Sequence, residues 1–128
     1  STIMIYGIGT DIIEVHRVEK LIEKGESSKR RIFSEKEIAY CETKKNKGEN
    51  YAARYAAKEA FFKAFGTGWR GKMSFNEVEI VNNRLGKPDI ILLGDTLKTV
   101  NKKKISKIHV SLTHLKDIVN AVVILEKD

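Results

Sequence analysis

One segment limits the possible folds of this chain more than any other. Residues 54–65, Arg54-Tyr55-Ala56-Ala57-Lys58-Glu59-Ala60-Phe61-Phe62-Lys63-Ala64-Phe65, join alanines and aromatics to a few charges. Alanine is the best helix former, so the pattern predicts a helix over residues 50–65 that stops at Gly66-Thr67-Gly68. Such a helix is apolar nearly all round and must be covered by other elements. At about 100° per residue, Arg54 and Lys58 fall near one side, and Glu59 and Lys63 fall nearly opposite. One solvent face cannot hold both pairs, and a charge buried without a partner is costly. Ala52 and Ala56 flank Glu59 and Lys63, where small residues would leave room for a ligand. The plainer alternative is an i,i+4 Glu–Lys helix pair, worth about 0.2–0.5 kcal/mol.

Other elements must supply the cover. Residues 3–9 read as a short strand ending in glycines. Residues 14–24 fit a helix, with Val15, Val18, Leu21 and Ile22 at helical spacing and Gly25 as its stop. Ser34-Glu35-Lys36-Glu37 matches a capping box, so a second helix is expected to start at Ser34. Residues 44–49 are polar and read as a loop. Residues 74–81 and 89–93 are strand-like, joined through the turn signal Leu85-Gly86-Lys87-Pro88. Residues 95–103 suggest a short helix. Ile108, Val110 and Leu112 alternate with His109, Ser111 and Thr113, the period of a half-buried strand, and residues 120–125 form a nearly continuous apolar strand. Helices come mainly first and strands mainly later. That order favours an α+β fold over a doubly wound parallel sheet. With 128 residues and no repeat, one domain over residues 1–128 is expected.

Composition excludes some classes of function. No apolar run reaches the roughly 18 residues of a membrane span, and the start lacks the basic region of a signal peptide. Cys41 is the single cysteine, so no internal disulfide forms, which suits a cytoplasmic protein. No CxxC or HExxH pattern points to zinc. Gly7-Ile8-Gly9 does not continue into a dinucleotide fingerprint, because position 12 is Ile12, and no Walker lysine pattern occurs. The net charge of +7 suits an anionic ligand, an acidic protein partner or nucleic acid, or simply a solvated basic surface.

Asp11, just after the glycines, supports two readings. It is suited to N-capping the helix that follows. The other reading is a ligand to a hard cation together with Glu59, if the fold brings them together, since Mg²⁺ takes one or two protein carboxylates and completes its shell with water and phosphate oxygens. Arg17, Lys20 and Lys24 form one stripe of the first helix and Glu19 and Glu23 another, which gives a solvated face or a docking face for an acidic partner. Ser111 near His109 and His114 lacks the sharp turn of a hydrolase nucleophile, so a phosphate or hydroxyl contact, or a purely structural strand, fits better. A nucleic-acid module would use Tyr51, Tyr55, Phe61, Phe62 and Phe65 for stacking. Their helical spacing among alanines argues instead for a core, and such a module has no need of Asp11 and Glu59.

Taken together, Gly7-Ile8-Gly9-Thr10-Asp11-Ile12 and the run from Arg54 to Ala64 resemble the two signature motifs of the 4′-phosphopantetheinyl transferases. Phe65-Gly66-Thr67-Gly68, Gly86-Lys87-Pro88 and the segment His109 to His114 extend that likeness to the bacterial stand-alone type over nearly the whole chain. The resemblance implies helices packed on a mainly antiparallel sheet. It also implies transfer of the phosphopantetheine arm of coenzyme A to a serine of apo acyl carrier protein, in support of fatty acid biosynthesis. It makes Asp11 and Glu59 the Mg²⁺ ligands, and Lys63 a contact to the transferred phosphate. Lys45, Arg54 and His114 become contacts to the phosphates of the nucleotide half. Gly86, Lys87 and Pro88 would lie near the adenine, with Ser111 in a nearby strand, and Arg17 would grip the carrier protein beside Lys20 and Lys24. A homotrimer with active sites between subunits is implied as well, with no role for nucleic acid or membrane.

Overall fold

The computed structural model describes residues 2–66 and 71–128; Thr67 and Gly68 of the expected helix stop lie outside them. The elements run β1 (Met4–Glu14), α1 (Val15–Glu23), α2 (Glu26–Ile32), α3 (Glu35–Glu42), α4 (Lys47–Phe65), β2 (Val78–Asn82), β3 (Pro88–Leu92), α5 (Gly94–Lys102), β4 (Ile105–His114) and β5 (Ile118–Lys127). Strands β1, β5 and β4 form an antiparallel sheet in that order, and β2 and β3 form a separate antiparallel hairpin. The expected α+β architecture is present.

The core lies between one face of the three-stranded sheet and α4. Val119, Ala121, Val123 and Leu125 of β5 are fully buried on that face. Tyr51, Phe61, Phe62 and Phe65 of α4 are buried with them. Each such side chain is worth about 1.5–3 kcal/mol of apolar burial. The aromatics are therefore core, not a stacking platform. Ala52 and Ala56 are also fully buried, so the space beside them holds protein and gives no room to a ligand, contrary to the sequence expectation.

The glycines of β1 act differently from the expectation as well. The strand does not end at them but runs on to Glu14. A Cβ on Gly7 would stand 1.9 Å from the carbonyl oxygen of Ala64, and one on Gly9 would stand 2.0 Å from that of Ala60. Bare glycine thus lets the strand lie directly on the helix backbone. Asp11 consequently sits inside β1 and caps nothing. The N-cap of α1 is Glu14, which makes no side-chain capping bond.

Elsewhere the differences are local. Ser34 caps α3 with both bonds of the capping box, as its sequence implies. Helix α4 starts at Lys47, three residues earlier than expected, and its C-cap Gly66 is left-handed at φ 89°. A single 3-10 turn, Phe75–Glu77, replaces the start of the expected strand before β2. The short helix α2 has a polar sequence without buried residues, so no apolar periodicity announces it.

Candidate active site

The side of α4 that bears Arg54 and Lys58 is buried and paired. Lys58 is wholly inaccessible, and its Nζ donates to Glu37 Oε1 at 2.7 Å and to the carbonyls of Phe75 and Val78. Burial pulls the Lys58 ammonium below its usual range, and the Glu37 charge opposes that shift. Glu37 Oε2 also accepts from the backbone N–H of Ile80, so α3, α4 and β2 meet at one ion pair.

The Glu59 and Lys63 side faces the open edge of β1. Lys63 Nζ donates to Asp11 Oδ1 at 3.1 Å and to the Thr10 carbonyl at 3.0 Å. Side chains on a helix lean toward its N-terminus, so the Lys63 ammonium lies over the turn that carries Glu59. The side chain of Asp11 is 13% exposed and that of Lys63 55%, while Glu59 is half-buried. Strand and helix thus bring together Asp11, Lys63 and the Glu59 turn, which are far apart in sequence. The glycine contacts with Ala60 and Ala64 are what set their spacing.

Two carboxylates of this kind, each with hard oxygen donors and reachable from solvent, fit Mg²⁺ with phosphate and water in the rest of its shell. The cation beside Asp11 is the Lys63 ammonium. Among the described residues no group of three or more His, Cys, Asp or Glu side chains could hold a metal ion by itself.

A second cluster forms around Arg54. Its guanidinium is 4% exposed and stacks on the Tyr40 ring at 4.4 Å, and Lys44 Nζ lies 4.6 Å from the same ring. Arg54 Nη2 donates to Asn82 Oδ1 at 2.8 Å, and Asn82 Nδ2 donates to the Gly86 carbonyl at 3.0 Å. Arg54 is thereby tied to the turn Gly86-Lys87-Pro88, where Gly86 takes the left-handed φ of 85°. The sequence reading does not single out Tyr40 or Asn82. Their types are common on surfaces, and only the fold sets them against Arg54.

The remaining candidates lie elsewhere. Lys45 lines a cleft of about 570 Å³ between the starts of α1 and α4 and the β4–β5 turn, with Glu14, His16 and Lys116. His114 lines an adjoining hollow with Ile12, Leu115 and Asn120, and Ile118 borders both. Ser111 pairs across β5 with Val122 and, beyond it, Thr10. Asp11 pairs with the buried Ala121, so Ser111 and Asp11 project from opposite faces of the sheet. Within one chain Ser111 does not meet the Asp11–Lys63 site. Arg17, Lys20 and Lys24 are exposed on α1. Glu19, on the other stripe, turns to α4: its carboxyl lies where a Gly48 side chain would be, over the first turn of that helix. A negative charge is favourable at that helix end.

A family model described as the 4′-phosphopantetheinyl transferase superfamily matches residues 7–122. A holo-[acyl-carrier-protein] synthase of Geotalea daltonii is 42% identical, over 97% of this chain and all of that protein. The crystal structure of the synthase from Neisseria meningitidis superposes with a TM-score of 0.88 at 40% identity, covering 97% of this chain and 100% of the other. The Bacillus anthracis synthase, solved in complex with CoA (3′,5′-ADP), has a TM-score of 0.80 at 37% identity, covering 98% and 99%. This chain belongs to the 4′-phosphopantetheinyl transferase superfamily, among its holo-[acyl-carrier-protein] synthases.

Proposed function

We propose that the protein moves the 4′-phosphopantetheine group of coenzyme A onto a serine of apo acyl carrier protein, releasing adenosine 3′,5′-bisphosphate. The observation that carries this reading is the Asp11–Lys63 contact beside the Glu59 turn. It puts one carboxylate and one cation in contact at a solvent-reachable point, with Glu59 one turn before Lys63 on the same helix. Phosphoryl transfer is mostly positioning and charge neutralisation, and these groups supply both. Asp11 and Glu59 would hold Mg²⁺. Bound there, the metal neutralises pyrophosphate charge and lowers the pKa of its water. Lys63, more than half exposed, swings from Asp11 to a phosphoryl oxygen and offsets the charge that grows there. The serine proton passes to Asp11, to Glu59 or to a water they orient.

Arg54, Lys45 and His114 take the phosphates of the nucleotide half, and Gly86, Lys87 and Pro88 take the adenine. The exposed stripe Arg17, Lys20 and Lys24 steers an acidic carrier protein by charge. We further infer a homotrimer with the site between subunits. The outer sheet face exposes Ile8 at 57% and Ile12 at 68%, and apolar exposure in strands commonly marks an interface. Ser111 on that face then serves a neighbouring subunit's site. Residues 1–128 would act as one catalytic domain in the cytoplasm, feeding fatty acid synthesis. No described helix is long and apolar enough to cross a membrane.

The test is direct. Incubation with coenzyme A, Mg²⁺ and an apo acyl carrier protein should raise the carrier's intact mass by one phosphopantetheine, and chelator should abolish the gain. Folded protein that leaves several apo carriers unmodified would overturn the reading. Light scattering should give three copies, and Ile12→Lys should reduce both assembly and transfer.

A further inference from the structure

Asn82 ends β2 opposite Pro88, and its side-chain amide makes two bonds in opposite directions. Its Oδ1 accepts from Arg54 and its Nδ2 donates to the Gly86 carbonyl. The chemistry fixes this orientation, because a guanidinium only donates and a carbonyl only accepts. A flipped amide loses both bonds. Aspartate could accept from Arg54 but not donate to Gly86, and leucine could do neither. The neighbouring Asn83 works inside the turn, where its Oδ1 accepts from the N–H groups of Leu85 and Lys87 at 2.9 Å. One asparagine builds the turn and the other ties it to α4.

Arg54 needs that tie. Its Nη1 contact to the Asn50 carbonyl is 3.5 Å long, and its Nε is buried with no partner among the described residues. Among the described residues, the Asn82 bond is the one short bond of this guanidinium. The Tyr40 ring lies 4.4 Å from the guanidinium carbon, and Asn82 holds the Nη2 end.

We propose that Asn82 is a positioning residue for nucleotide selection. It holds Arg54 and the Gly86–Pro88 turn at one spacing, so that the nucleotide's 3′-phosphate and its base are bound together. The proposal rests on the assignment of Arg54 and this turn to the nucleotide half of coenzyme A. Calorimetric titration with coenzyme A and with 3′-dephospho-coenzyme A tests it apart from transfer. Asn82→Ala should weaken coenzyme A binding about tenfold, the scale of one charge-assisted hydrogen bond. It should leave dephospho-coenzyme A binding within about twofold, because Asn83 still builds the turn at the base and the lost spacing is felt at the phosphate contact. Combined with Arg54→Lys it should add little to that single change. Asn82 is exposed at a hairpin end, so the variant should fold, and its melting curve checks this. Equal weakening for both nucleotides, or none, would overturn the proposal. A wild-type protein that does not distinguish the two nucleotides would overturn it with the Arg54 assignment. A protein that distinguishes them yet modifies no apo carrier would sink the transferase reading and leave the Asn82 tie standing.

Discussion

The two charged sides of α4 use the same residue types for opposite ends. Lys58 is sealed in the core against Glu37, and Lys63, five residues on, reaches across to Asp11 with more than half of its side chain exposed. What lies opposite decides the difference. Lys58 faces α3 and the start of β2, where carbonyls and a carboxylate saturate it. Lys63 faces the edge of a strand whose glycines bring backbone close, and it meets the Asp11 side chain there. A charge held by the fold cannot change partners during a reaction, whereas a charge at an open edge can.

That contrast can be broken from either side. The largest effect should come from Lys58→Met, which leaves the Glu37 carboxylate buried without its cation and should cost about 3–5 kcal/mol of stability in a denaturant titration. Next comes Glu59→Gln, which should lower transfer about 10²–10³-fold with an unchanged melting temperature, the range seen when one charge-stabilising group is lost from an active site. Gly9→Ala tests the spacing between strand and helix. Its Cβ meets the Ala60 carbonyl, so it should cost about 1–3 kcal/mol as overpacking and reduce transfer per folded molecule. Ser34→Ala removes the cap bond and the bond that Ser34 Oγ donates to the buried Glu79 carboxylate, and should cost about 2 kcal/mol with transfer intact. The smallest effect concerns Cys41. It is fully buried, and burial pushes its thiol up to about 11, so a thiol reagent at neutral pH should label it only after unfolding. Above pH 9 the unfolded thiol ionises first, so the Cys41 contribution to stability should fall as pH rises from about 9 to 11.

The sequence makes some of this legible and hides the rest for physical reasons. Apolar period and capping chemistry are local, so α4, the Ser34 cap and the alternation of β4 can be read directly from residues. Asp11 is less readable, because one carboxylate after two glycines suits a helix cap as well as a metal ligand, and taken alone it favours the cap. Only the contact of Gly7 and Gly9 with Ala64 and Ala60 shows that the glycines serve close approach instead of a turn. Spacing separates Arg54 and Lys58 from Glu59 and Lys63, yet says nothing of which pair is buried, since that depends on Glu37 and β2 folding over one side. Ala52 and Ala56 mislead for the same reason: a small residue leaves room for a ligand or for other parts of the protein, and here protein takes it. The ties of Arg54 to Tyr40 and Asn82 join residues 14 and 28 positions away, with no local pattern to announce them.

The division between the two sides of α4 is tested most directly by Glu59→Gln. Its intact-mass transfer assay should be run with coenzyme A, Mg²⁺ and apo carrier protein beside a thermal melt. The expected result is a carrier left at its apo mass by a protein that melts like the wild type. A variant that transfers at the wild-type rate, or one that loses transfer only because it no longer folds, would contradict the assignment of the open side to chemistry and the buried side to structure.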